Sequence, residues 1–391
     1  MTEEVGPALP GPAMPDPANP DPAHPRPSRP GGLLRHPNFL KLWTAETVSV
    51  FGSQISALAI PVVAVTFLHV SAFEIALLGT IEFLPFMLFT LPAGAWVDRL
   101  RRRPIMIVGD LGRAVALISI PVVYAISPSA LTIWQLYVVG FITGTLTVFF
   151  DVSNQSYLPS IVEHDELIEG NSKLQISQSA AQIAGPGVAG LLIDVVKAPF
   201  AIVIDSLSFV WSAFFVFLIR KPEPPVEHAA DALGQKRPSI FSDVREGLRF
   251  VLGNPALRAI SAGTATSNLI GNIGGGIMFL YVLDSRFLGL TPGQVGVAFA
   301  LGNVGALVGA VLANRLARWF GLGPTIVGSL FLGGFLMLLI AIAPPHEAAL
   351  PFLVAGGLFG GFAQMVYNIN QVSYRQAICP PRMQGRMNAT V

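Results

Sequence analysis

Glu82 lies inside the apolar run Ile81-Glu82-Phe83-Leu84-Pro85-Phe86, a setting in which a carboxyl group can change between neutral and charged forms as its access to water changes. It is the leading candidate for a proton-coupling group. The alternative is a hydrogen-bonded packing role. Glu46, and Asp110 with Arg113 three residues later, are the next ionisable groups inside apolar stretches. The spacing of the last two puts them on one helix face, where an ion pair satisfies both. Three further polar sets recur at intervals of four: Asn268 and Asn272, Gln364 and Asn368, and Thr143, Thr147 and Asp151. Each forms one face of a helix, suited either to a cavity wall or to hydrogen bonds between helices.

Enzyme signatures do not accompany these residues. The single cysteine, Cys379, excludes a disulfide framework and a thiolate metal site. The six histidines are scattered, without an H-E-x-x-H pattern, so neither a metal nor another cofactor is expected. A net charge of +1 gives no reason to expect a nucleic-acid partner.

The elements that carry these residues must be transmembrane helices. Hydrophobic residues make up 52% of the chain, charged residues 12%, and the mean hydropathy is +0.61, which is far too apolar for a soluble domain. Apolar spans are predicted near 39–68, 74–97, 104–126, 131–157, 167–195, 199–219, 256–283, 292–316, 324–343 and 349–374, each long enough to cross the hydrocarbon. Of the 24 Lys and Arg, Lys197 and Arg286 fall on one side of this arrangement, Arg113 falls inside a span, and all the others share the side of the N-terminal tail. The positive-inside rule makes that side cytoplasmic, in a multi-pass protein of the cytoplasmic membrane. Residues 1–33 form a proline-rich tail with too little apolar surface to fold. Residues 34–220 are the first predicted bundle and 255–391 the second. The linker 221–254 carries an amphipathic stretch in which Phe241, Val244, Leu248, Val251 and Leu252 share a face, as in a helix lying on the membrane surface.

The two bundles repeat each other. Asp98-Arg99-Leu100-Arg101-Arg102 corresponds to Asn314-Arg315-Leu316-Ala317-Arg318, and Asn154-Gln155 to Asn370-Gln371, both at an offset of 216 residues. Two markers at one offset argue for duplicated six-helix halves. The same offset places an eleventh and a twelfth span largely beyond Val391, so the chain is expected to hold ten of twelve helices and to be truncated at its C-terminus.

The stretch Gly94-Ala95-Trp96-Val97-Asp98-Arg99-Leu100-Arg101-Arg102-Arg103 resembles the G-x-x-x-D-R-x-G-R-R signature of the major facilitator superfamily, with Arg101 where that family usually has glycine. Further stretches resemble its branch of macrolide-efflux proteins and enterobactin exporters, the third drug:proton antiporter group. They are Leu158-Pro159-Ser160-Ile161-Val162, Gly185-Pro186-Gly187-Val188-Ala189-Gly190, Ile204-Asp205-Ser206-Leu207-Ser208-Phe209, Glu246-Gly247-Leu248-Arg249-Phe250 and Gly385-Arg386-Met387-Asn388-Ala389.

The resemblance implies an all-α membrane protein with the major facilitator fold, working as a monomer by alternating access and exporting small amphipathic molecules, of drug or siderophore type, against proton entry. It also implies an inner gate at Asp98, Arg99, Arg102 and Arg103. Spans 1, 4, 7 and 10 would line the cavity, bringing in Gln54, Thr143, Thr147, Asn268, Asn272, Gln364 and Asn368. Gly185, Pro186 and Gly190 resemble part of the antiporter signature of the fifth helix, in which proline interrupts the hydrogen-bond ladder and kinks the helix. An uptake symporter and an inactive truncated remnant are the competing readings.

Overall fold

The computed structural model describes residues 33–97, 100–163, 166–221, 249 and 251–378. Among them ten long helices follow one another: α1 Pro37–Val62, α2 Ala72–Val97, α3 Arg102–Ile126, α4 Ile133–Ile161, α5 Leu167–Val196, α6 Ala198–Phe217, α7 Pro255–Leu283, α8 Pro292–Phe320, α9 Leu322–Ala341 and α10 Leu350–Ile378. They coincide with the ten predicted spans. Nine are apolar over a length sufficient to cross a membrane, and in α7 the apolar part among the described residues is Gly274–Leu283. Asp98 and Arg99, the N-terminal tail and most of the predicted interfacial helix lie outside the described residues.

The helix ends follow from local chemistry. His36 caps α1 by accepting the Phe39 N–H at 3.2 Å, with Pro37 in the first turn, where its missing N–H costs nothing. Asn254 caps α7 through the N–H groups of Ala256 and Leu257. Thr291 and Gln294 form a capping box that opens α8. Gly321 separates α8 from α9 at φ +85°, a conformation available to glycine at little cost. Beyond Val62, α1 continues into a short π-helical turn, Val63–Phe67, which follows the helix-interrupting Pro61.

In the first bundle α1 packs on α5 and α6, α3 on α4 and α6, and α2 on α4; in the second, α8 and α9 pack on α10. One end of the molecule carries Arg101, Arg102, Arg103, Lys221 and Arg318 and is called here the basic end. The larger apolar core lies toward the opposite end. It joins the bundles by bringing Val63, Ile75, Ala189 and Ile193 together with Leu280, Leu283, Val295 and Leu353. A second core at the basic end, built from Leu33, Phe39, Leu42, Met106, Phe150, Tyr157 and Val216, belongs to the first bundle alone. Arg286 at the opposite end is neutralised locally by Asp284, 2.6 Å away. Those hydrogen bonds and that charge hold the Asp284 carboxyl below the ordinary carboxylate range.

Val195, Ile126, Phe73 and Phe331 are among the apolar side chains exposed on the outer surface. In a bilayer they face lipid rather than water, so their exposure is the expected condition.

Candidate functional site

Among the described residues, two helix pairs make the most extensive contacts between the bundles. On α2 and α7, Gly276 sits so close to Ile75 that a Cβ there would lie 2.7 Å from its carbonyl oxygen. On α5 and α8, Gly190 and Gly296 face each other, and a Cβ on Gly296 would fall 3.0 Å from the Cα of Gly190 and collide with the carbonyl of Pro186. Thus Pro186 and Gly190, predicted as a kink element, lie directly on the contact with the other bundle. Gly185 faces the other way, against Gln54 of α1, where no Cβ would fit.

Two hydrogen-bonded links accompany this glycine contact. The Asp194 carboxylate, in the last turn of α5, accepts from the Gly293 N–H at 3.0 Å and from the Thr291 hydroxyl at 3.4 Å. A carboxylate at a helix N-terminus satisfies free N–H groups and complements the positive end of the helix dipole. Further along, the Asn303 side chain of α8 donates to the Gln182 carbonyl of α5.

Beside the α2–α7 contact lies a cavity of about 320 Å³, lined by Pro61, Leu78, Glu82, Phe83, Gly275 and Phe279 among others. Glu82 rests on Gly140 of α4, where an added Cβ would lie 2.8 Å from its Cγ. From there aromatic rings run along α2 and α4: Phe83 stacks on Phe86 at 5.8 Å, Phe89 meets Phe141, and Trp96 stacks on Phe149. One carboxyl group with an aromatic wall and neighbouring glycines can receive an apolar molecule of varied shape while offering a single polar anchor.

A separate polar cluster fills the interior of the first bundle. Arg113 bonds Asp110 at 2.5 Å and the Thr147 hydroxyl at 3.3 Å, and its guanidinium lies between the rings of Phe150 and Phe209, 4.5 and 4.1 Å from their centroids. Phe150 of α4 is therefore engaged by Arg113. Thr147 likewise belongs to this cluster. Thr143 bonds backward to the Val139 carbonyl of its own helix. Glu46 lies beside Asn154, and its Oε1 is buried without a hydrogen-bond partner. Asp205 of α6, with 1% of its surface exposed, completes the cluster. In the sequence it carries the same signal as Glu82, a lone acid in an apolar span.

The remaining candidates have specific surroundings. Arg103 donates to the Val216 and Phe217 carbonyls at the end of α6 and lies over the Phe217 ring. These contacts are within the first bundle. Arg102 opens α3 and also has a partner. Gln364 and Asn368 of α10 approach each other at 3.5 Å along their own helix. Asn268 and Asn272 are on α7, and their side chains are outside the described ones. Near them Thr264 of α7 shares a hydrogen bond of 2.8 Å with Tyr367 of α10.

Two helical bundles meeting over a cavity with an acid and an aromatic wall form a membrane transporter. The chain belongs to the Major Facilitator Superfamily, whose sequence profile matches residues 42–391. It is similar to macrolide efflux protein A of Streptococcus pyogenes, 25% identical over 352 residues that cover 88% of this chain and 82% of that protein. The multidrug efflux pump Tap of Mycolicibacterium fortuitum is 24% identical over 360 residues, covering 90% and 84%. Among solved structures, a bacterial homologue of the iron transporter ferroportin in an inward-facing state superposes with a TM-score of 0.63 at 19% identity, covering 92% of this chain and 88% of that one. The nucleoside transporter NupG superposes with a TM-score of 0.68 at 14% identity, covering 91% and 85%.

Proposed function

We propose that this protein exports small amphipathic organic molecules from the cytoplasm in exchange for protons, as a monomer whose two bundles alternate in access to the two sides. The observation that carries this reading is the position of Glu82: a carboxyl group with no hydrogen-bond partner among the described residues, on the wall of an interbundle cavity. A proton and a substrate cannot both be favoured at one such group, and that competition couples their movements. The names of the efflux relatives support the direction, and the concentration of Lys and Arg at the basic end supports a cytoplasmic N-terminus. On this reading the α5–α8 and α2–α7 contacts close the outer side. The Asp98 turn, with Arg99, Arg102 and Arg103, serves as the inner gate in the opposite state, and the Gln54, Asn268, Asn272, Gln364 and Asn368 faces border the path.

Everted membrane vesicles test the proposal. With ethidium and a macrolide as probes, an imposed pH gradient, acidic inside, should drive uptake into vesicles containing the protein, and Glu82→Gln should weaken the pH dependence. Transport of neither probe, or full pH dependence in Glu82→Gln, overturns it.

A further inference from the structure

Asp205 stands apart from the cavity that holds Glu82. It lies in the interior of the first bundle, where α1, α3 and α6 converge, with its carboxylate against Gly52 of α1: an added Cβ there would lie 2.7 Å from Oδ1. The Ser208 hydroxyl, 3.1 Å from the same oxygen, and Ser56 of α1 flank it. The charged groups facing it are Asp110 and Arg113, both from α3. Ser206 holds α6 to α3 through the Ala114 carbonyl at 2.8 Å, so this arrangement is built into the packing.

Charge counting within this pocket gives the chemistry. Asp110 and Arg113 are 0% and 5% exposed and form a neutral pair. Asp205 is then a second acid facing one guanidinium already engaged, in a segment surrounded by hydrocarbon. An additional uncompensated charge there is strongly disfavoured. The pocket is uncharged only if one of its two acids carries a proton. Further acids lie within electrostatic reach of this pocket. Asp110 has a second oxygen, Oδ2, that is buried without a partner, and so does Glu46, which lies within electrostatic reach of Asp110 and Asp151. Asp151 is exposed on the surface of α4.

We propose that Asp205 is a second proton carrier of the transport cycle, distinct from Glu82 and connected to the basic end through Asp110, Glu46 and Asp151. This rests on the proton-coupled export proposed above. In the inward release step the O–H bond of Asp205 breaks and the proton passes to the free Oδ2 of Asp110, then through Glu46 to Asp151 and water. Asp205 is left as a carboxylate sharing the Arg113 guanidinium with Asp110. The cluster changes from neutral to singly negative, and recovering a proton from the outer side restores it.

The experiment measures an equilibrium ratio, which damage to packing or expression does not move. Vesicles holding the full chain are clamped at zero membrane potential with valinomycin and equal potassium, and the steady-state ethidium ratio is followed as the pH gradient varies, with the macrolide used if it alone is transported. Exchange of two protons makes the wild-type ratio change about a hundredfold per pH unit, and Asp205→Asn should reduce this to about tenfold. Asparagine retains an oxygen for Ser208. An unchanged slope in Asp205→Asn overturns the proposal. If that variant fails to insert, the wild type alone decides: a tenfold slope removes the second proton while leaving proton-coupled export intact. A flat slope, or transport of neither probe, removes both.

Discussion

The carboxylate of Asp194 accepts a hydrogen bond of 3.0 Å from the backbone N–H of Gly293, ninety-nine positions later, and so ties the last turn of α5 to the first turn of α8. The acid belongs to one bundle and the helix N-terminus to the other. Any motion that separates the bundles at this end must break the bond. Asp194 is exposed, so water screens the interaction and its contribution stays in the range of about 0.3–1 kcal/mol.

Replacing Asp194 with Asn should shift the balance toward the state open at this end by about two- to fivefold, following from that range. Spin labels at Val195 and Gln294 would report it as an increased population of long distances. An unaltered distance distribution would show that the glycine contact alone holds the bundles together.

Gly296→Val should be far more disruptive. The Gly190 and Gly296 backbones touch, and the new side chain would meet the Pro186 carbonyl directly. Overpacking of this kind costs about 1–3 kcal/mol, and here it acts on the interface between bundles. Normal membrane insertion with loss of vesicle transport is the expected result, and wild-type transport rates would contradict it.

Gly140→Ala tests the seat of Glu82 without altering its chemistry. The added methyl would stand 2.8 Å from the Glu82 Cγ and must push that side chain toward the cavity. Substrate affinity should fall with the pH dependence retained in full, whereas Glu82→Gln weakens the pH dependence. Measuring the apparent KM at several pH values separates the two.

Arg113→Met should destabilise the protein by about 3–5 kcal/mol, because Asp110 would remain buried without its counter-ion. Loss of the two ring contacts adds to the effect. Adding Asp110→Asn should recover much of the loss by removing the stranded charge. Thermal unfolding of the detergent-solubilised variants measures both steps, and equal losses in the single and double variants would contradict the ion-pair account.

Lys197 adopts φ +69° between α5 and α6, a region that side chains with a Cβ occupy at a cost of about 1–3 kcal/mol. Lys197→Gly should therefore raise the unfolding temperature without changing transport. A lowered temperature would show that the lysine side chain contributes more than its backbone strain costs.

The amino-acid sequence by itself determined the ten helices and the concentration of basic residues at one end. Each is a local or periodic property: an apolar run must satisfy its own backbone hydrogen bonds in lipid and does so as a helix, whatever its neighbours. It also marked Glu82 and the Asp110–Arg113 pair, because an ionisable group in an apolar run is conspicuous on inspection. Tertiary structure alone decided which of these groups meet. It placed Glu82 against Gly140 beside a cavity, drew Thr147 and Phe150 into the Arg113 cluster and left Gln364 paired with Asn368. Asp205 carried the same sequence signal as Glu82, yet its relation to Asp110 and Arg113 arises only where α6 packs on α3. Asp194 carried no signal at all, since its partner is a backbone N–H, a group every residue but proline possesses. Which N–H lies within reach depends on the packing of α5 on α8.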